Sequence, residues 1–175
     1  MFTLSRVVAL CSLWATLIVG AQTINEANVK AKLAYNIARF TQWPKSSFTE
    51  PTAPLLVCLL HSSDTLKESF ARLDGLSVGG HSIKLEANPT GGLNKCHVVF
   101  FSETGDGPST ASLRELAALP VLTIGDTQRF TANGGMVELL NINDTVRFDV
   151  NLAATRNAQL AISSQVLKLA RQVKD

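Results

Sequence analysis

The sequence predicts an α/β fold: a single domain with a mostly parallel, doubly wound sheet, an appended antiparallel hairpin and helices on both faces. In the middle of the chain, apolar segments of strand length alternate with segments of helical periodicity, which is typical of a covered parallel sheet. Nearer the carboxyl end, two strand-like segments are separated only by Asn143-Asp144, which indicates a hairpin.

Helical periodicity and capping residues place the helices. The first predicted helix runs from Asn25 to Phe40, and it ends before Trp43-Pro44, because the residue before a proline is disfavoured in helical backbone. Later helices are predicted to begin at Ser63 or Asp64, at Ser109 or Thr110, after Asn151 and at Ser163.

Apolar or alternating segments place the strands. The predicted strands are 55–60, a short strand around Ile83 and Leu85, 97–102, 121–125 and the hairpin strands 136–142 and 145–150. In the common 2-1-3-4 order of such sheets, strands 55–60 and 97–102 are neighbours.

Cys58 and Cys96 are the two cysteines beyond the amino-terminal segment, and each lies in or beside one of these two strands. Neighbouring strands are about 4.8 Å apart, which suits the roughly 4.4–6.8 Å between α-carbons that a disulfide needs. We expect the two thiols to pair in an oxidising compartment. A metal site that adds His61 and His97 is the competing interpretation, although it lacks the paired spacing of zinc ligands.

Residues 1–21 are predicted to be a cleaved signal peptide. Arg6 supplies a positive charge, Val7 to Gly20 is apolar, and Val19-Gly20-Ala21 offers the small residues that a signal peptidase reads. The run is shorter than the about 20 apolar residues of a membrane span, and an uncleaved anchor is the alternative. Residues 22–175 would then form one exported domain of ordinary size, expected in the periplasm.

Composition and motif content argue against several classes of function. The net charge is +2 and no basic stripe stands out, so we expect no nucleic-acid partner. The nucleophile elbow, the phosphate-binding loop, the dinucleotide fingerprint and the zinc-protease motif are all absent from the sequence. We therefore expect a protein that is not an enzyme and that has no cofactor and no metal.

A ligand pocket is predicted at the carboxyl ends of the parallel strands, where open α/β sheets bind their ligands. The residues predicted to line it are His61, Ser63, Asp64, Glu103 and Asp126. Backbone amides at the start of the helix near Asp64 can hold an anion. The alternative is that Ser63 and Asp64 only cap that helix.

The most distinctive segment is Tyr35-Asn-Ile-Ala-Arg-Phe-Thr-Gln-Trp-Pro44, which joins three aromatic rings to the cation Arg39. In one interpretation the rings anchor the core and Arg39 is a solvated or ion-paired side chain. The segment also resembles the Tyr-Asn-Phe-x-Lys/Arg-Phe-x-x-Trp-Pro signature of YfiR-like periplasmic proteins.

The resemblance continues in the family's order through 55–60, 96–101, 120–126, 134–137, 146–154 and 162–170. There are three departures from the family pattern: Ile37 stands where the family usually has Phe, Ser82 stands where it often has Pro, and a further cysteine pair of some members is absent here. Redox sensing through a second disulfide is therefore not expected.

The resemblance implies a non-catalytic signalling regulator that is commonly dimeric. Family members are similar to a secreted repressor of an inner-membrane diguanylate cyclase; an outer-membrane lipoprotein can sequester that repressor and so link the envelope to cyclic di-GMP output. The expected partners are thus an inner-membrane sensor protein (a cyclase or a kinase), such a lipoprotein and a second copy of the chain.

Aromatic and arginine side chains are the usual anchors of protein interfaces. On that ground the residues predicted to bind the partner are Arg39, Phe40, Trp43, Arg147 and Arg156. Two rival interpretations remain open: a small-ligand sensor that serves a sensor kinase or an uptake system, and an enzyme of unrecognised type.

Overall fold

Short strands and helices alternate along the residues that the computed structural model describes, 18–102 and 110–175. The helices are α1 (Ile18–Arg39), α2 (Asp64–Ala71), α3 (Thr110–Leu116), α4 (Leu152–Asn157) and α5 (Ser164–Leu167). The strands are β1 (Thr41–Gln42), β2 (Leu55–Leu60), β3 (Ser77–Val78), β4 (His81–Ala87), β5 (Val98–Phe101), β6 (Leu122–Gly125), β7 (Val137–Ile142), β8 (Thr145–Asn151), β9 (Ala161–Ile162) and β10 (Gln172–Lys174). Residues 1–17 of the predicted signal peptide, Glu103 and Ser109 lie outside these ranges.

Eight strands form one sheet in the order β10-β8-β7-β6-β5-β2-β4-β3. Neighbours from β4 to β7 are parallel, as are β8 and β10, whereas β3–β4 and the β7–β8 hairpin are antiparallel. Asn143 and Asp144 turn the hairpin with φ of 50° and 59°, the left-handed values of the tight turn that suits twisted strands. The α/β class is confirmed, and the sheet is mixed rather than mostly parallel because antiparallel pairs lie towards both of its ends.

Helices cover both faces of the sheet. Ala31 and Ala34 of α1 pack with Leu66 and Phe70 of α2 in the larger core cluster, on one face. A smaller cluster on the other face contains Leu113 and Leu116 of α3, Val99 and Phe101 of β5, and Phe130. Strand side chains alternate between faces, so β5 contributes Val98 and Phe100 to the first cluster and Val99 and Phe101 to the second.

The ends of the chain differ from the prediction. Helix α1 begins at Ile18 rather than Asn25, and the last predicted helix is only the single turn α5. The chain beyond it forms β10, because the Arg171 guanidinium pairs with the buried carboxylate of Asp149 and draws this segment against β8. None of the helices in the described residues is long and apolar enough to cross a bilayer.

An ion-pair network attaches α1 to the carboxyl edge of the sheet. The Lys30 ammonium lies 2.7 Å from a carboxylate oxygen of Asp126, just after β6, and 2.7 Å from Glu26 of its own helix. Burial alone would lower the pKa of Lys30, but the hydrogen bonds and charges of Asp126 and Glu26 outweigh it and hold that pKa above its ordinary value. Lys30 is therefore a charged anchor.

The predicted disulfide is confirmed. Cys58 in β2 is bonded to Cys96, which precedes β5, and their α-carbons are 6.0 Å apart. Both residues are buried in the smaller core cluster. The adjacency of β2 and β5 that the bond requires is also observed.

The loop between β6 and β7 is built around one aromatic ring. A Cβ placed on Gly125 would lie 2.6 Å from the Phe130 ring, and one placed on Gly135 would overlap the same ring. The buried carboxylate of Glu138 accepts hydrogen bonds from the Arg129 and Thr131 amides and from the Thr131 hydroxyl, so the loop backbone is held around Phe130.

Removing the disulfide is expected to destabilise the fold strongly. For the 38-residue separation, the chain-entropy model gives a loss of about 4 kcal/mol in the Cys58→Ala/Cys96→Ala variant. Urea unfolding of this variant and of the oxidised parent measures the difference. A loss below about 1 kcal/mol would contradict a stabilising role for the bridge.

Gly135→Ala is expected to lower the free energy of unfolding by about 1–3 kcal/mol, since the added methyl group overlaps the Phe130 ring in a packed core. Gly91→Ala is the matched control, because a Cβ there meets only the flexible end of Lys95, at 3.4 Å. Thermal and urea unfolding of both variants test this. Equal stability of the two variants would show that the loop around Phe130 adapts freely.

Candidate functional site

The carboxyl end of α1 presents a cation between two aromatic rings. The Arg39 guanidinium carbon lies 5.5 Å from the centroid of the Tyr35 ring and 5.8 Å from that of Phe40. Tyr35 and Arg39 are four residues apart and therefore share one face of the helix. Phe40 is 38% exposed, and the Tyr35 hydroxyl donates to the carbonyl oxygen of Ser77 at 3.3 Å. We call these three residues, Tyr35, Arg39 and Phe40, the aromatic–arginine cluster.

A small second sheet fixes the direction in which the chain leaves this cluster. β1 pairs antiparallel with β9, and the Ser163 amide donates to the Phe40 carbonyl at 2.9 Å. The Thr41 hydroxyl donates back to the Ile37 carbonyl at 2.8 Å, which closes the end of α1. Trp43 is thereby placed at the start of the loop 43–54, beside the cluster.

A cavity of about 670 Å³ lies between this loop and the amino ends of β2 and β4. Its lining includes Thr41, Gln42, Trp43, Lys45, Phe48, Glu50, Leu55, Val78 and His81. The Trp43 indole nitrogen and the Ser47 hydroxyl are buried without a hydrogen-bond partner. Leaving such a group unsatisfied costs about 1–3 kcal/mol. The other contacts of the loop must therefore outweigh this cost to keep it closed.

Two histidines hold the loop by stacking on both faces of Phe48. The Phe48 and His81 ring centroids are 3.6 Å apart with planes 5° from parallel, and those of Phe48 and His97 are 4.5 Å apart at 12°. His81 Nδ1 lies 2.7 Å from the Ala53 carbonyl oxygen. His97 is bonded on both ring nitrogens, with Nδ1 3.0 Å from the Leu56 amide and Nε2 3.0 Å from the Ser47 carbonyl oxygen.

These contacts select one protonation state of His97. The Leu56 amide can only donate, so Nδ1 accepts, and the Ser47 carbonyl can only accept, so Nε2 carries the proton and donates. Burial lowers the pKa of His97 below its ordinary value; the Ser47 carbonyl acts in the opposite direction, and the charge of His81 adds to the lowering. The neutral ring is therefore the form that fits.

The residues predicted to line a pocket at the carboxyl edge serve local structure. The Ser63 hydroxyl caps α2 by accepting from the Leu66 amide at 3.3 Å, and Asp64 forms an ion pair with Lys67 at 3.0 Å. The His61 amide donates to the Asn88 side chain, and Asp126 binds Lys30. Glu103 lies outside the described residues, and a ligand-binding role for the five residues stays a prediction.

The residues predicted to bind a partner fall at two edges of the sheet. Arg39, Phe40 and Trp43 lie at the amino edge of the parallel strands, and Arg156 of α4 follows the end of β8 at that same edge. Arg156 is ion-paired with Asp175. Arg147 lies near the hairpin turn, at the opposite edge, and it faces away from α1 because its neighbours Val146 and Phe148 pack against the α1 core.

Sequence reasoning missed Phe48, His81 and His97 as a unit. The three residues come from a loop and from the starts of two different strands, so no local spacing joins them. The competing metal site is not supported in the described residues: no group of three or more His, Cys, Asp or Glu side chains there has a metal-binding arrangement, and Cys58 and Cys96 are bonded to each other.

Residues 27–171 match the YfiR/HmsC-like family. No curated protein matches the chain. Among solved structures, a conserved domain protein from Vibrio cholerae O1 biovar eltor superposes with a TM-score of 0.52 at 10% identity, over 85% of this chain and 60% of that one, a likeness that shows the fold alone. The resemblance inferred from the Tyr35–Pro44 segment is thus confirmed, and since the match extends over most of its length, the chain belongs to the YfiR/HmsC-like family.

Proposed function

We propose that this protein is an exported signalling regulator that binds the periplasmic sensor domain of an inner-membrane diguanylate cyclase and restrains it, without catalysing a reaction. Family membership over residues 27–171 supports a regulator of this kind. An outer-membrane lipoprotein that sequesters the protein and a second copy of the chain are further proposed partners.

The observation that carries the proposal is the aromatic–arginine cluster. Arg39 is exposed at the end of α1, and its guanidinium lies over the rings of Tyr35 and Phe40. A cation held in place by two rings loses little conformational freedom when a partner binds, which favours its use as an interface anchor. The exposed face of Phe40 adds apolar surface next to this charge.

The disulfide supports the proposed compartment. Structural disulfides persist in oxidising compartments such as the bacterial periplasm and are rare in the cytosol. The Cys58–Cys96 bond is buried in the core on both sides, which makes it a structural bond. A buried structural disulfide of this kind supports a periplasmic location.

Restraint of a sensor requires only that the regulator bind the inactive conformation more tightly than the active one. A tenfold bias corresponds to about 1.4 kcal/mol of differential affinity. One well-packed aromatic or arginine anchor supplies this amount, since anchor residues cost 2 kcal/mol or more on truncation in typical interfaces. The cluster is therefore large enough for the proposed task.

Arg39→Ala and Phe40→Ala are each expected to weaken binding to the sensor domain by at least about tenfold, because each removes an anchor of the cluster. Binding to the purified periplasmic domain of the cyclase encoded in the same genome, measured by calorimetry, and cyclic di-GMP levels in cells test this. Cyclase output is expected to rise as binding falls.

Two matched variants serve as controls. Arg114→Ala removes an exposed arginine from α3, on the opposite face of the sheet, and Ile142→Ala removes a comparably exposed apolar residue at the hairpin turn. Both are expected to bind like the parent. If Arg39→Ala and Phe40→Ala fold normally and bind as tightly as these controls, the cluster is not the interface.

A small-ligand sensor is the second candidate, and the cavity beside Trp43 favours it. A volume of about 670 Å³ lies within the about 300–1,000 Å³ of small-molecule sites, and the unpartnered Trp43 indole offers a donor in its wall. A sensor predicts that a periplasmic metabolite raises the melting temperature and that Trp43→Phe reduces this gain. Absence of a shift across nucleotides, amino acids and other metabolites would count against it.

A further inference from the structure

Two histidine rings bond the loop 43–54 to the sheet. His97, at the start of β5, donates to the Ser47 carbonyl, and His81, at the start of β4, bonds the Ala53 carbonyl. Phe48 lies between the two rings. Histidine is the side-chain type whose ordinary pKa lies between pH 5 and 8, and burial holds the pKa of His97 below its ordinary value.

Protonation of His97 is incompatible with the closed loop. A proton on Nδ1 would face the Leu56 amide, which lies 3.0 Å away and also carries a proton. The amide would lose its acceptor inside the sheet, and the ring would have to turn away from both Leu56 and Ser47. Stacking of an imidazolium on Phe48 is attractive in itself, but it does not restore an acceptor for Leu56.

The closed conformation of the loop also carries a free-energy cost. The Trp43 indole nitrogen and the Ser47 hydroxyl are buried without partners, and water would satisfy both of them once the loop opens. The two states therefore differ by less than the stacked rings alone suggest. Loss of the two His97 bonds on protonation acts in the same direction as this cost.

We propose that the His81–Phe48–His97 stack is a pH-sensitive latch, in which protonation of His97 releases residues 45–54 and remodels the cavity wall beside Trp43. The opening is a property of the chain alone. Its consequence for signalling rests on the proposed function: acidification would alter the surface next to the aromatic–arginine cluster and so change the affinity for the sensor domain.

The direction of the pH effect follows from the contacts of His97. Its pKa is lowered in the closed state, so the stabilisation of the closed loop is fully present above the ordinary value of about 6.5 and is lost as the pH falls below it. The charged group that acts on His97 is His81 from β4, while Lys45 and Glu50 line the cavity on the other side of the loop. A positive His81 opposes a second positive ring, which acts in the same direction.

Amide hydrogen exchange of the isolated protein at pH 7.5 and 5.5, corrected for intrinsic rates, tests the latch. The amides of Ser47, Ala53 and Leu56 report on it, because they are bonded within the closed loop or to His97, and the β6 amides serve as the internal reference. Relative to β6, opening is expected to rise by up to about tenfold per pH unit below 6.5.

Variants at His97 separate the latch from general acid destabilisation. His97→Gln keeps an acceptor and a donor but does not titrate, so its loop is expected to stay closed at both pH values. His97→Leu removes both bonds and is expected to open the loop at both. His61→Asn is the histidine control and is expected to behave like the parent, since His61 lies at the other edge of the sheet.

Two results would overturn the proposal: loop exchange in the parent that does not change with pH relative to β6, or a pH dependence that persists in His97→Gln. If His97→Gln does not fold, nitrogen NMR of the parent decides the matter. The His97 ring must then be the neutral Nε2–H form at pH 7.5 and must titrate together with the loop amides. If the loop opens at low pH but binding to the sensor domain is unaffected at any pH, the proposed interface is contradicted. The pH-sensitive latch itself would still be supported by that result.

Discussion

The ion pair between Lys30 and Asp126 fixes where α1 lies along the sheet, and the placement of the candidate site depends on it. Lys30 and Asp126 have side chains only 14% and 5% exposed, and removing one partner of such a buried ion pair is strongly destabilising. From Lys30 the helix rises about 1.5 Å per residue, which carries Arg39 roughly 13 Å further. This is about the length of the four-residue strands β5 and β6. The Lys30–Asp126 contact at the carboxyl edge of the sheet therefore places Arg39 at the amino edge.

The two edges of the sheet therefore have different roles in the described residues. At the carboxyl edge, Ser63 caps a helix, Asn88 accepts from the His61 amide and Asp126 holds Lys30. At the amino edge, the chain leaves α1 through the narrow β1–β9 sheet and then enters a loop whose Trp43 and Ser47 have buried, unpartnered polar atoms. The hydroxyls of Ser62 and Thr127 are also buried without partners at the carboxyl edge, so the feature that sets the amino edge apart is the His81–Phe48–His97 stack that holds its loop.

The parts of the fold that sequence predicted are those set by local chemistry. The apolar run 55–60, the caps Ser63 and Asn151, and the Asn143-Asp144 turn each carry their signal within a few residues, and each has the predicted form. The strands β1, β9 and β10 have two or three residues each, too few for a periodic pattern. They exist because distant groups hold them, such as the Asp149 carboxylate that binds Arg171. The expected pocket drew on a general rule for parallel sheets and stays a prediction, whereas the Lys30–Asp126 ion pair at that edge has no local sequence signal.

A loop can switch only if the surface that holds it stays fixed, and the disulfide provides that surface. Cys96 is bonded to Cys58 on one face of the sheet, while the next residue, His97, joins β2 through its backbone amide, which donates to the Leu56 carbonyl at 2.9 Å. The start of β5 is thus tied to β2 by a covalent bond and by a backbone hydrogen bond that do not involve the His97 ring. When the ring exchanges its partners, the backbone beneath it is held in place. Rigid strands that position a mobile loop are the usual arrangement of a binding surface, and in this chain the bridge and the latch occupy adjacent residues.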